Sequence, residues 1–376
     1  MAGLYIHIPF CRQKCHYCNF YSLATKKFRP EIVPSIQKEM ELNRNFFGDN
    51  PLNTIYFGGG TPSLLNADQL DEMLKKAGNI FGIAIDAEIT VEANPDDISE
   101  EWLATLRQTP VNRLSIGIQS FRDSDLTYLN RIHSASEAIK GIYLAKNAGF
   151  ENLSIDLIYG IPSLSDGQWI ENISRALELE IPHISAYALT VEMGTALDHF
   201  IRKGKYTPVE DEKSAGQFKI LMEMMEAAGY EHYEISNFAL PGSYSRHNTS
   251  YWTGEKYLGL GPSAHSYYGI TRRWNVANIS DYLDGVEKGN DYYGFETLTK
   301  TQQFNEYMMT SLRTQWGIDT ELARSKFGEN FLYHLLKEIK LPLQQGLLII
   351  QENKITLTKQ GKLYADGIAA GLFIEE

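Results

Sequence analysis

Over its first two-thirds the chain alternates short apolar runs with longer amphipathic stretches. The short runs are LYIHI (4–8), NTIYF (53–57), AEITVEA (87–93), RLSIGIQ (113–119), NLSIDLIYG (152–160) and HISAYAL (183–189), each of strand length. Between them lie helix-like segments such as RPEIVPSIQKEMELNRNFF, NADQLDEMLKKAGNIF, SASEAIKGIYLAKNAGF and SDGQWIENISRALELE. Asn66 and Asp166 stand where caps belong, and Gly149 stands where a helix should stop. Strand followed by helix, six times over, implies parallel strands with right-handed crossovers. Six such units make an incomplete barrel or a strongly curved open sheet.

The polar and glycine-rich pieces fall at the C-terminal ends of these predicted strands. PFCRQKC follows the first, GGGTPS the second, EANPD the third and IQSF the fourth, while DLIYGIP and YALTVE belong to the fifth and sixth. Barrels of parallel strands carry their active sites on that face. From about residue 240 the rhythm changes to a segment rich in Gly, Ser, Tyr and Trp without helical period, which reads as loops and short strands, a binding surface or a linker. From 300 onward three helical stretches precede LLIIQENKITLT, a predicted hairpin turning at Asn353 and Lys354. The expected organisation is a core domain over 1–238, a connecting segment over 239–299 and a winged-helix-like α+β domain over 300–376.

Composition narrows the function classes. The chain has 376 residues, is 43% hydrophobic and carries a formal net charge of −12. It can bury a sizeable core, and the acidic balance without basic runs argues against nucleic acid as a partner. No stretch approaches the roughly 20 apolar residues that span a bilayer, and MAGLYIHIPF lacks the basic flank of a signal peptide. With so few cysteines, these features lead us to expect a soluble cytoplasmic protein.

Those cysteines are the sharpest chemical signal. Cys11, Cys15 and Cys18 are the only three, spaced C-x3-C-x2-C on one loop. Three thiols cannot all pair, and a catalytic thiol needs one rather than three. A structural zinc needs a fourth ligand, for which His7 and His16 are candidates. An iron–sulfur cluster is the other reading, with three irons held by thiolate and one left open.

Together with GGGTPS, this loop resembles the signature of radical S-adenosylmethionine (SAM) proteins. The chain as a whole is most similar to the branch holding oxygen-independent coproporphyrinogen dehydrogenases and haem chaperones. The resemblance implies a partial (β/α)6 barrel, a 4Fe–4S cluster on Cys11, Cys15 and Cys18, and SAM chelated at the open iron. Cluster-driven cleavage of SAM to a 5′-deoxyadenosyl radical is the chemistry it implies, carried by the cofactor and oriented by the protein. It assigns SAM contacts to Tyr5, Tyr17, Phe20, Gly59, Gly60, Thr61, Glu92, Gln119, Arg131, Asp156 and Ala188. Taken singly, Arg131 or Asp156 reads as a salt-bridge residue and the glycines as a tight turn.

The element RHNTSYW (246–252) has the pattern H-N-x-x-Y-W. An imidazole can ligate haem iron, and Tyr and Trp offer flat apolar faces, although such residues commonly serve packing. The pattern matches the haem chaperones and implies haem contacts for His247, Asn248, Tyr251 and Trp252. Two departures weigh against the dehydrogenases. Phe20 stands where those enzymes carry a further cysteine, and only ten residues precede Cys11. The expectation is therefore a haem carrier rather than an enzyme that decarboxylates coproporphyrinogen III. Its expected recipients are haem-requiring proteins, membrane-bound respiratory enzymes among them, with a homodimer as a candidate assembly.

Overall fold

The computed structural model describes residues 1–25, 27 and 29–375, with the side chain of Arg29 left aside. Six strands follow the expected places: β1 (Ala2–Ile8), β2 (Leu52–Gly59), β3 (Ile83–Ala93), β4 (Arg113–Gln119), β5 (Leu153–Tyr159) and β6 (His183–Ala188). They pair in sequence order, each parallel to the last. Helices between them cover one face. Asn66 closes a capping box with Gln69, as its position suggested, whereas the cap of the 166–178 helix is Ser165, one residue before Asp166. Gly149 takes a φ of +86° just past the helix Ala135–Asn147, a conformation that favours glycine.

The strands alternate strictly. Leu4, Ile6, Ile8, Ile55, Phe57, Val91, Leu114, Ile116, Ile155 and Ile184 are buried beneath the helices. The registers place the intervening residues side by side on the other face, in staggered tiers. Tyr5 meets Tyr56, Tyr56 meets Thr90, Glu92 meets Ser115, and Asp156 meets Ser185. The inner face of the half-barrel is thus almost entirely polar.

Residues 239–299 are not a linker. Strand β7 (Glu231–Glu234) and β8 (Asn237–Ala239) close one end of the sheet, and β9 (Lys256–Leu260) returns to pair in parallel with β1 at the other. Strands β10 (His265–Tyr268), β11 (Thr271–Asn275) and β12 (Tyr293–Thr297) continue antiparallel, making a sheet of twelve. Buried Glu39 ties the segment to the first helix, accepting from Tyr282 Oη at 2.6 Å, Asn275 Nδ2 at 2.7 Å and Gly261 N at 2.8 Å. The motif forms a short helix, Arg246–Trp252, that lies under the half-barrel. Its first two amides donate to the buried carboxylate of Glu88 on β3 at 3.0 and 2.9 Å.

The C-terminal domain has its own core around Phe304, Leu312, Phe327, Leu335 and Ile355. Helices Lys300–Leu312, Thr320–Phe327 and Glu329–Glu338 precede a hairpin of β14 (Leu348–Gln351) and β15 (Lys354–Leu357), with β13 (Ile318–Asp319) pairing the latter. The turn falls at Glu352 and Asn353, one residue earlier than expected, because Gln351 pairs with Lys354. Arg313 joins this domain to the core through Glu234 at 3.2 Å.

Since Glu88 accepts from both helix amides, Glu88→Ala should cost about 2 kcal/mol. Urea unfolding should show this as a lowered midpoint, with Glu88→Gln intermediate because its amide keeps one acceptor oxygen.

Candidate functional site

The three cysteines lie half-buried on the loop after β1. Neighbouring segments hold that loop. Cys11 N donates to Leu23 O at 3.2 Å, His16 N to Leu129 O at 3.2 Å, and Leu197 N to His16 O at 2.8 Å. Asn130 Nδ2 donates to Lys14 O at 2.9 Å, and Arg12 pairs with Asp97 at 2.5 Å. Arg131 is the central brace. Its Nη2 donates to Asn94 Oδ1 at 2.6 Å and Gly117 O at 2.8 Å, and its Nη1 approaches Cys15 Sγ at 3.4 Å.

Burial pushes the Cys18 thiol up to about 11, and the neighbouring sulfurs act in the same direction. Without metal the Cys18 thiol is therefore biased toward protonation, whereas bound iron would invert that preference. The donor set fits an anionic iron–sulfur cluster, with a guanidinium already hydrogen-bonded at one sulfur. It fits a Cys3His zinc site poorly. His7 is committed at both ring nitrogens, to Tyr5 Oη at 3.1 Å and Tyr21 O at 2.9 Å, and His16 Nδ1 faces Tyr128 O at 3.1 Å. Among the described residues no three His, Cys, Asp or Glu side chains are gathered for a single metal ion.

The glycine turn after β2 is locked to the cluster loop itself. Gly60 N donates to Ile8 O at 2.8 Å, and a Cβ on Gly60 would stand 2.5 Å from Phe10 O. Gly59 has a φ of +105°, and a Cβ there would strike the His7 ring at 2.6 Å. Both glycines are thus required by the chain's own backbone and by His7. The expectation from resemblance was close approach to a ligand. Thr61 accepts from Asn94 Nδ2 at 3.1 Å, so Asn94 links this turn to Arg131.

The remaining expected SAM residues ring the same end of the lumen. Glu92 accepts from Tyr56 Oη at 2.8 Å, and burial, with the charge of Asp156 adding, raises it to about 7. Asp156, in mid-strand, is raised to about 6 by burial, against a hydrogen bond from Ser185. Gln119 ends β4 at a register shift with a φ of +69°, a strained conformation of the kind that collects at functional sites. Tyr17 lies against Cys15 and Arg131, and Ala188 ends β6 opposite Tyr159. Phe20 stands apart from this ring, 64% exposed. Asn94, Tyr56 and Arg12 were missed. Asn94 sits inside the quoted EANPD, and its place just before Pro95 was the available signal.

The haem motif is not gathered in one place. His247 is 1% exposed, with Nδ1 at 2.8 Å from Thr54 Oγ1 and Nε2 at 2.8 Å from Tyr251 Oη. Its ring stacks on Tyr56 at 5.1 Å, and burial lowers it to about 3. In this structure His247 is thus a neutral residue of the lumen floor, hydrogen-bonded at both ring nitrogens. Asn248 N donates to Ser245 Oγ at 3.3 Å, and Trp252 lies under the Arg313 guanidinium at 5.1 Å. Tyr251 alone reaches an open cleft, of about 460 Å³, shared with Tyr5, Phe20, Tyr257 and His265.

Because Gly60 faces the backbone of the cluster loop, Gly60→Val should disturb cluster and ligand together. We expect lower iron content after anaerobic reconstitution and a stability loss of about 1–3 kcal/mol. Normal iron with only SAM affinity reduced would mean that the glycine faces the ligand instead.

Comparison with known proteins places this geometry. Residues 5–176 match the radical SAM superfamily model, and residues 298–364 match the HemN C-terminal domain. The protein named heme chaperone HemW from Bacillus subtilis is 36% identical over the full length of both chains. Its namesake from Synechocystis is 37% identical, over 99% of this chain and 96% of the other. The solved coproporphyrinogen III oxidase (HemN) of Escherichia coli, a radical SAM enzyme, superposes with a TM-score of 0.85 at 23% identity, over 99% of this chain and 90% of that one. The family implies a 4Fe–4S cluster and SAM, which the thiol loop and the polar rim fit. This chain is a member of the radical SAM superfamily, in the family with a HemN C-terminal domain that includes the proteins named heme chaperone HemW.

Proposed function

We propose that this protein is a haem carrier of the radical SAM superfamily, binding haem and passing it to haem-requiring proteins. The observation that carries the reading is the end-to-end match to proteins named heme chaperone at 34–37% identity. Two features of the chain support it. Phe20, not a cysteine, follows the cluster loop and stands exposed beside an aromatic cleft. The lumen floor is closed by His247 and Tyr251, which leaves the cleft at the edge of the barrel as the open apolar surface next to the cluster loop.

Cys11, Cys15 and Cys18 hold the cluster, and Arg131 steadies it through Cys15. The cluster, when bound, supplies an electron for reductive cleavage of SAM. Glu92, Asp156 and Gln119 orient the charged groups of SAM, with Tyr56 fixing the Glu92 carboxylate. Among the described residues no helix is long and apolar enough to cross a membrane, so delivery to a membrane-bound recipient would proceed through docking.

Glu92 offers a pH test of the SAM assignment. Its carboxyl, raised to about 7 by burial, must ionise to meet a cationic ligand. SAM affinity measured by calorimetry should rise from pH 6 to pH 8, and Glu92→Gln should flatten the profile by up to about one proton. Equal slopes in both proteins would remove Glu92 from the site.

The functional test is a paired incubation of anaerobically reconstituted protein with haem, and with coproporphyrinogen III plus SAM and a reductant. We expect stoichiometric haem binding and no protoporphyrinogen. Sustained turnover of coproporphyrinogen III would make the protein an oxidase and overturn the carrier reading.

A further inference from the structure

A row of hydrogen-bonded side chains leads from the lumen face of β6 to the C-terminal domain. Ser185 Oγ donates to Asn237 Oδ1 at 2.8 Å, and Asn237 Nδ2 donates to Glu234 Oε2 at 2.5 Å. Glu234 Oε1 accepts from Arg313 Nε and lies 3.2 Å from Arg313 Nη2. Arg313 Nη1 in turn reaches Asp366, on the helix Ala365–Gly371, at 2.7 Å. Ser185, Asn237 and Glu234 are all buried. Backbone bonds close the same joint: Ile235 N donates to Arg313 O and Gln315 N to Tyr233 O, both at 3.0 Å. Thr314 thus bridges antiparallel to Glu234 on β7, the end strand of the large sheet.

The direction of each bond in this row is fixed. An ionised carboxylate only accepts, so Asn237 must turn its amide nitrogen to Glu234 and its oxygen to Ser185. That buried oxygen needs the Ser185 proton, and a hydroxyl has one proton to give. Asp156 stands beside Ser185 in the β5–β6 register and competes for it. It is faced by Arg131 and Arg113, which favour its ionised form, by the Glu92 carboxyl and by the Tyr187 hydroxyl. Ionised, it is the stronger acceptor, because charge-assisted hydrogen bonds are roughly twice as strong as neutral ones. With the lumen empty, Asp156 therefore draws the hydroxyl toward itself and leaves Asn237 Oδ1 without a donor. A ligand that brings its own donor and positive charge to Asp156 releases the hydroxyl to Asn237.

We propose, resting on the reading that Asp156 faces SAM, that Ser185 is a positioning residue whose hydroxyl couples occupancy of the lumen to the seating of the C-terminal domain on β7. Filling the lumen tightens the joint, and by reciprocity a loosened joint weakens binding in the lumen by the same factor.

The test is amide hydrogen exchange on the full-length, anaerobically reconstituted protein, with and without SAM, read at the joint residues 233–236 and 313–316. It is run at pH 8, where Asp156, raised to about 6, is ionised. In the wild type SAM should slow exchange at the joint about fivefold or more. Ser185→Ala should exchange fast with or without SAM, and Ser185→Thr, which keeps the hydroxyl, should restore the SAM effect. Asp156→Asn should exchange slowly even without SAM, because a neutral amide can donate to Ser185 Oγ and does not pull the proton from Asn237. Opposite signs in two neighbouring variants are not what general loosening produces. Arg313→Gln, outside the lumen, should weaken SAM binding about fivefold or more by calorimetry, with iron content kept. SAM that binds the wild type but leaves exchange at the joint unchanged would overturn the coupling, as would a Ser185→Ala protein that retains the SAM effect. SAM affinity unaltered in Asp156→Asn would instead remove Asp156 from the SAM site, failing that reading and the coupling with it.

Discussion

A sheet of six parallel strands that stops short of closure has to find partners for every side chain it turns inward. In this protein those side chains are polar along all six strands, from Tyr5 and Tyr56 through Glu92 and Ser115 to Asp156 and Ser185. An unpartnered buried polar group costs about 1–3 kcal/mol, so such a lumen must be closed, solvated or filled. The two ends solve the problem differently. At the floor, the chain supplies its own partners: Thr54 and Tyr251 for His247, Glu88 for the helix amides, Ser154 and Tyr233 for His183. At the other end burial pushes the carboxyls of Glu92 and Asp156 toward neutrality, against the charges of Arg131 and Arg113 at Asp156. That asymmetry leaves the floor satisfied within the chain and the other end with buried carboxyls.

The cluster loop is organised on the same logic. Arg131 is a buried cation fixed by Asn94 and Gly117 O, with one more nitrogen turned to Cys15. Holding a positive charge there before any anion arrives is costly, and that cost is offset when thiolates and a cluster supply negative charge. Gly60 presses on the Phe10 backbone and Arg12 reaches Asp97. The backbone of the loop is therefore set by contacts that follow β2, β3 and β4.

Much of this was legible in the residues. The six runs became strands in order, and the cysteines, glycines and Glu92 fell at one rim because strand direction fixes which loop lies where. Less legible was anything that depended on long-range pairing. Nothing in KYLGL announces that β9 lies parallel to β1, 250 residues away, so residues 239–299 read as a connection instead of as a third of the sheet. The direction of the glycines was equally hidden, since a missing Cβ is compatible with a ligand or with backbone behind it. His247 shows the sharpest limit. A histidine with two aromatic neighbours in sequence says nothing of their packing: the helix buries His247 against Thr54 and Tyr251 and sets Trp252 under Arg313.

A carrier differs from an enzyme in that its cargo must leave intact. A ligand in the floor of the barrel is reached only when its neighbours move. Reaching His247 means breaking its bonds to Thr54 and Tyr251 and shifting a helix held by Glu88. The cleft lies beside residues 19–21, immediately after the last cluster cysteine. Asn19 and Phe20 therefore join the cleft to the cluster loop along one short stretch of chain.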